Sequence, residues 1–318
     1  MRKLYIYFIL IAFLTSCGSI KKMELEAFVE QNNCNQQNDY TYTKDSLPNP
    51  LHTLNLDTSL TNKFSEESLN LANAIGLIDM LEEYILKVEH KSNIEDEVEL
   101  LQLRQKINQR INLASIEISA VASEIDCEEE RIEQIANFIR NKEDKLETNL
   151  TVGAIVTGAV GAILSAVIFI NDPDDNSVEY VGISTGLTEV LFGTLLLTNN
   201  KKVYISHDRN ILRDLWEGNE VSNVFPPSIW YYLNYHNPDD EYSISVREQI
   251  LEKWMKFGQI TDSKENKRKK LINLYFKEGG KYTTEQLFNR SNMHDQVEAQ
   301  INLMKQDLKM LGLELEKF

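Results

Sequence analysis

Glu189 is the single charged residue in YVGISTGLTEVLFGTLLLT, residues 180 to 198. In lipid a carboxylate at a helix centre costs about 2.5–3.5 kcal/mol, so such groups face a bundle interior or a water path. There it would face the partner helix and could serve ion or proton conduction; a partly solvated glutamate in a soluble bundle is the alternative. The other reactive side chains are scattered. His52, His90, His207, His236 and His294 show no i,i+4 pairing and no nearby cysteine, so no zinc site is legible. DPDDN, beginning at Asp172, has alternating acids but lacks the glycine and the closing glutamate of a calcium loop. No phosphate-binding glycine loop or nucleophile elbow is present. The expectation is a protein with no catalytic residues, no metal and no cofactor, hence not an enzyme.

The chain opens MRKLYIYFILIAFLTSCGS, with Arg2 and Lys3 ahead of an apolar run from Leu4 to Leu14. This is the layout of a signal peptide, and the run is short for a membrane span. Leu14, Thr15, Ser16 and Cys17 resemble the lipobox of bacterial lipoproteins. That resemblance implies cleavage after residue 16, a diacylglycerol on the Cys17 thiol, and tethering in the cell envelope on the periplasmic or outer side. A free cysteine in an ordinary signal peptide is the competing reading. Export also permits disulfides, and Cys34 and Cys127 are then candidates to pair.

The formal charge is −16, and loss of residues 1–16, which hold Arg2 and Lys3 but no acid, makes it more negative. Nucleic acid is a poor partner for such a chain, because its binding rests on phosphate neutralisation. The one basic run, KENKRKK from Lys264, reads as a solvated helix face.

Around these groups the elements are legible. Residues 17–60 are rich in Asn, Gln, Ser, Thr and Pro without a sustained period, and are expected to be a polar tether. From Ser65 the apolar residues Leu71, Ala74, Ile78, Leu81, Ile85 and Val88 recur at steps of three and four, the seam of a packed helix. A second seam runs Leu100, Leu103, Ile107, Ile111, Ala114, Ile118, Val121, Ile125, Ile132, Ile135, Ile139, Leu146. A break at EHKSN would make two antiparallel helices, with Ser92 or Asn93 capping the second. Residues 61–150 carry 20 acidic and 10 basic side chains, the composition of a solvated coiled-coil surface.

TVGAIVTGAVGAILSAVIFI, residues 151 to 170, continues the second seam without charge or proline. With the turn around Pro173 and the Glu189 helix, it forms an apolar helical hairpin over residues 151–200, expected to be transmembrane. Small residues at Ala154, Gly158, Gly161 and Ser165, and at Gly182, Gly186 and Gly193, predict a close helix–helix seam of the kind used in lipid. Glu189 falls on the glycine side of its helix. An inner-membrane hairpin on an exported body would invert the positive-inside rule, so the outer membrane is favoured, and burial in a soluble bundle remains the alternative.

Long acidic helices leading into an apolar hairpin are similar in layout to helical pore-forming toxins of the cytolysin A and haemolysin BL type. The likeness spans roughly residues 65–200, and it implies a membrane-permeabilising protein that inserts the hairpin. The lipobox departs from it, since a secreted toxin diffuses away. Residues 201–318 hold Trp216, Trp230 and Trp254 in the setting of a compact domain, a capping box from Thr283 to Gln286, and a heptad Val297, Ile301, Met304, Leu308, Leu311, Leu315. The expected fold is all-α: an elongated antiparallel coiled-coil bundle with an apolar hairpin and a helical C-terminal domain. The expected role is an envelope lipoprotein acting by structure and interaction. Its partners would be membrane lipid, through Cys17 and the hairpin, and a protein or a second copy through the helical seams.

Overall fold

Residues 34, 39–90, 92–172, 176–198, 201–240, 242–261 and 264–318 are described by the computed structural model. The leader, Cys17, most of the expected tether up to residue 38, and Pro173 of the hairpin turn lie outside the described residues. Gln37–Phe318 form one unit; of Met1–Gln36 only Cys34 is described. Among the described residues are ten α-helices and one two-stranded sheet, so the fold is all-α.

A short helix, α1 (Thr58–Thr61), precedes the apolar seam from Ser65; that seam, expected as one helix, is divided into α2 (Glu66–Ala74) and α3 (Ile78–His90). Gly76 makes the break. It sits at φ +69°, the left-handed region open to glycine, while Gly76 N–H donates to Asn73 O and Leu77 N–H to Ala72 O. That pair of bonds is a Schellman ending, and it satisfies carbonyls that the helix leaves orphaned. Leu77 and Ala72 close it as a fully buried apolar contact.

α4 (Ile94–Asn171) starts at Asn93, whose side chain accepts from Asp96 N–H while the Asp96 carboxylate accepts from the Asn93 N–H. Glu95, Asp96 and Glu97 then complement the positive end of the helix dipole. With no proline in its 78 residues it runs unbroken for about 117 Å at 1.5 Å per residue. Leu103, Ile107, Ala114, Ile118, Val121, Ile125, Ile132, Ile135 and Ile139 of the seam are buried; Leu100, Ile111 and Leu146 are half-buried.

The helix lying along most of that seam comes from the far end of the chain. α10 (Thr284–Leu315) runs antiparallel to α4, with Thr284 at Glu143 and Glu298 at Asp126 and Glu129. The whole heptad from Val297 to Leu315 is buried, and the Thr283–Gln286 capping box is formed. At the other end of α10, the Glu314 carboxylate accepts from Ser65 N–H at 3.1 Å.

The C-terminal third is not wholly helical. β1 (Lys202–Ser206) pairs antiparallel with β2 (Gly279–Thr283), from Lys202 opposite Thr283 to Ser206 opposite Gly279. Alternation marks β1: Val203 and Ile205 are buried and Tyr204 is exposed. Gly279, at φ +91°, lets the strands close, since a Cβ there would lie 2.1 Å from the Ile205 carbonyl oxygen. Between the strands, α6 (Ile211–Glu217), α7 (Pro227–Asn234), α8 (Val246–Lys256) and α9 (Glu265–Phe276) enclose an aromatic core. Trp216 stacks on Phe276 at 4.5 Å between centroids, and Trp230 and Trp254 are buried.

Residues 39–60 are not a free tether. Tyr40 N–H donates to Asn223 O, Tyr42 Oη donates to Phe225 O and accepts from Ser222 N–H, and Leu51 N–H donates to Tyr231 Oη. Two 3₁₀ turns, Lys44–Ser46 and Leu51–Thr53, shape this strap, and Leu51 and Leu60 are buried. The polar composition hid the packing because backbone and tyrosine hydrogen bonds, rather than a periodic apolar face, carry most of it.

Candidate functional site: the apolar hairpin

α5 (Ser177–Thr198) packs back along the last third of α4. The two apolar stretches, 21 residues of α4 from Thr151 and 22 in α5, are about 31 and 33 Å long, which matches a hydrocarbon core of about 30 Å. By length and composition both helices can cross a membrane. Their mutual contact buries little: no residue of α5 is buried, and of α4 beyond Ile139 only Gly161 is. Sixteen large apolar side chains stay exposed between Val152 and Leu197, Ile163, Phe169, Ile170, Leu187 and Val190 among them. At about 1.5–3 kcal/mol for a fully buried side chain, leaving this surface in water forgoes on the order of 20 kcal/mol. It is also far larger than the apolar patch of an ordinary soluble monomer. The alternative in which the hairpin is concealed in a bundle is therefore not how this chain is folded.

Within the hairpin the expected seam holds on one helix and fails on the other. On α4, an added Cβ at Gly158 would meet Glu189 Oε1 at 2.8 Å, and one at Gly161 would meet Thr185 Cγ2 at 2.2 Å; Ala154 and Ser165 are half-buried on the same side. On α5, an added Cβ at Gly182, Gly186 or Gly193 would meet nothing within 4 Å. The packed row is instead Val178, Val181, Thr185, Thr188, Phe192 and Leu196, half-buried residues at the same steps of three and four. At 100° per residue the glycines lie on its flank. Two rows of one helix share a period, so spacing alone left the phase open. Glu189 borders the packed row: its carboxylate lies over Gly158 while the residue as a whole is exposed.

The hydroxyl groups are settled locally. Thr157 donates to Gly153 O at 2.8 Å, Thr185 to Val181 O at 3.0 Å, Thr188 to Ser184 O at 2.8 Å and Thr194 to Val190 O at 2.7 Å. In an apolar medium this satisfies groups that water would otherwise serve. Apart from Glu189, the charged residues lie at the ends: Asp172 and Glu179 at the tip, Lys201, Lys202 and the acids of α4 at the base, with no Lys or Arg from Leu146 to Asn200.

Two side-chain groupings escaped the sequence because tertiary contact makes them. Asp126 and Glu129 of α4 and Glu298 of α10 bring one carboxylate oxygen each to within 4.8 Å of one another, an arrangement able to share a proton or hold a cation. Partial burial, then the charges of Asp295, Glu298, Asp126 and Glu133, push Glu129 up to about 7. In the C-terminal core, Arg290 is 1% exposed and donates to Tyr275 O at 2.7 Å and Asn210 Oδ1 at 3.1 Å. His207 Nε2–H donates to Tyr282 Oη at 2.7 Å, since the Tyr282 hydroxyl itself donates to Leu274 O; His294 Nδ1–H donates to Arg290 O at 2.9 Å. Burial, then the Arg290 charge, holds both imidazoles neutral far below their ordinary value. These bonds clamp β2 and the end of α9 to α10, a structural use of residues that could have been taken for ligands. His52 stacks on Tyr235, and His90 and His236 are exposed. Cys34 and Cys127 are both disulfide-bonded.

Comparison with protein-family models, with curated proteins and with solved structures returns no match to this chain.

Proposed function

We propose that this chain is a membrane-anchored lipoprotein of a bacterial envelope that acts by structure and interaction, with its hairpin inserted in the bilayer. The observation that carries the reading is the hairpin: two helices of bilayer length whose outer faces are largely apolar and uncovered. The lipobox-like LTSC supports a second attachment through a diacylglycerol on Cys17, and two attachments hold a protein stably where one acyl chain does not. The lack of Lys and Arg at the hairpin tip supports the outer membrane over the inner one, given export of the body. The helical seams would receive a protein partner or a second copy; no catalytic role is assigned.

The test is sodium carbonate extraction of membranes carrying Cys17→Ala. The variant is expected to accumulate as unprocessed precursor and still to resist extraction through the hairpin. Full release into the carbonate supernatant would sink the inserted hairpin, and normal processing would sink the lipobox. The second reading, a protein that permeabilises membranes, is favoured by Glu189, an ionisable group in an apolar span. Dye release from liposomes by the chain lacking residues 1–17 separates the two, because an anchor leaves vesicles intact. The locally bonded threonines support the anchor, since they offer no continuous polar lining.

A further inference from the structure

The start of α4, remote from the hairpin, is covered on one side only. Leu103 and Ile107 are buried there, whereas Ile94, Val98 and Leu101 stand on the opposite face, Ile94 80% and Leu101 68% exposed. At 100° per residue Gln105, Asn108 and Asn112 continue that face, all exposed, and no charged residue falls on it. The charges lie on its two flanks, and they are ordered. One flank carries Glu95 and then Lys106, the other Glu97 and then Arg104, and both pairs are centred between Leu100 and Leu101. Glu95, Glu97 and Lys106 are exposed and Arg104 is half-buried. Among the described residues none of the four side chains has a hydrogen bond or ion pair within the chain.

We propose that this face docks a second copy of the chain, antiparallel about a twofold axis at Leu100–Leu101. A twofold interface uses one patch twice, so the patch must complement itself. Turned antiparallel, Glu95 meets the second copy's Lys106 and Glu97 meets its Arg104. Val98 and Leu101 of both copies then close the middle, and Ile94 lies over the second copy's Gln105. A parallel pair would set acids on the same acids and bases on the same bases, and flanking charges of this kind fix the orientation of paired helices. The order acid, apolar, base reads as its own complement on reversal, which selects a second copy over a partner of uniform charge. The contact is about 21 Å long, small beside the interfaces of stable complexes, so one pair is weak and many facing pairs reinforce one another. Thr151 is about 75 Å along α4 from Leu101, and the pairing points the two hairpins away from each other. Resting on the inserted hairpin proposed above, the two copies stand in facing membranes about 150 Å apart.

The experiment follows the full chain in detergent micelles by sedimentation equilibrium, with two double variants: Glu95→Lys with Glu97→Lys, and Arg104→Glu with Lys106→Glu. Wild type is expected to self-associate, and less so at high salt. Each variant alone should associate about tenfold more weakly, because the flanking attractions become repulsions. An equimolar mixture of the two should recover wild-type association, which also shows that neither variant is merely misfolded. A wild type that stays monomeric, a variant that associates as well as wild type, or a mixture that does not recover overturns the proposal. Orientation is read by dynamic light scattering of phosphatidylcholine vesicles carrying the chain. Wild type should cluster them, as should vesicles of one variant mixed with vesicles of the other. Association in micelles without clustering of vesicles that retain the chain through carbonate overturns the antiparallel arrangement. A chain that carbonate strips from the vesicles overturns the membrane reading instead, and the pairing is then decided by sedimentation alone.

Discussion

Glu129 shows how one residue can be ordinary in sequence and unusual in the fold. It is one acid in the run Glu128–Glu129–Glu130 on a rod expected to be solvated, yet α10 brings Asp295 and Glu298 against it. Its folded value of about 7 stands above the unfolded value of about 4.3. A raised value means stability that is whole below the unfolded value and is lost as pH rises toward 7. Glu129→Gln should therefore stabilise at pH 8, by about 1 kcal/mol once solvent screening of this partly exposed group is allowed for. Wild type and variant should converge near pH 4. Urea midpoints at the two pH values check this; an equal difference at both would show that packing, not charge, separates them.

At the scale of elements, the hairpin turns on which faces meet. Gly161→Leu drives a side chain into Thr185, whose methyl already crowds the position, and should cost roughly 1–3 kcal/mol as overpacking does. Gly186→Leu projects into open space and should change stability by no more than about 0.5 kcal/mol. Thermal melts in detergent micelles followed by circular dichroism compare the two. If Gly186→Leu proved the more damaging, the α5 face assigned to α4 would be wrong. The same geometry makes α4 an element of two solvents. Its first 57 residues, up to Leu150, bury a seam against helices, and the remainder exposes an apolar surface with no interruption in its hydrogen bonding.

For the whole molecule, the clamp around Arg290 ties sheet, α9 and α10 into one body and makes that body acid-sensitive. His207 and His294 are neutral and buried in the fold, but protonate near pH 6.5 when unfolded. The depressed folded values mean stability complete above about 6.5 and lost progressively as pH falls below it. Each contributes up to about 1.4 kcal/mol per pH unit in that range, and the raised Glu129 acts in the opposite direction. Unfolding free energy should fall as pH drops from about 6.5 to about 5, and fall less steeply in His294→Gln. A flat profile would mean that the imidazoles are not held as their hydrogen bonds indicate.

Much of this was readable without coordinates, and the reason is locality. The caps at Asn93 and Thr283 bind backbone N–H groups within three residues, and the heptads from Leu103 to Ile139 and from Val297 to Leu315 repeat within one turn. The hairpin announces itself by length and lack of charge, so the all-α class and the candidate spans followed from short-range pattern. The remaining features depend on partners far along the chain, and the packed fold settles them. It paired α4 with α10, joined β1 to β2 across more than 70 residues, and packed the strap 39–60 onto α7. It chose Thr185 and Phe192 over Gly182 and Gly186 as the face of α5 that packs on α4. Period specifies that a helix has a face; which face is buried follows from the volumes and hydrogen bonds of whatever packs against it.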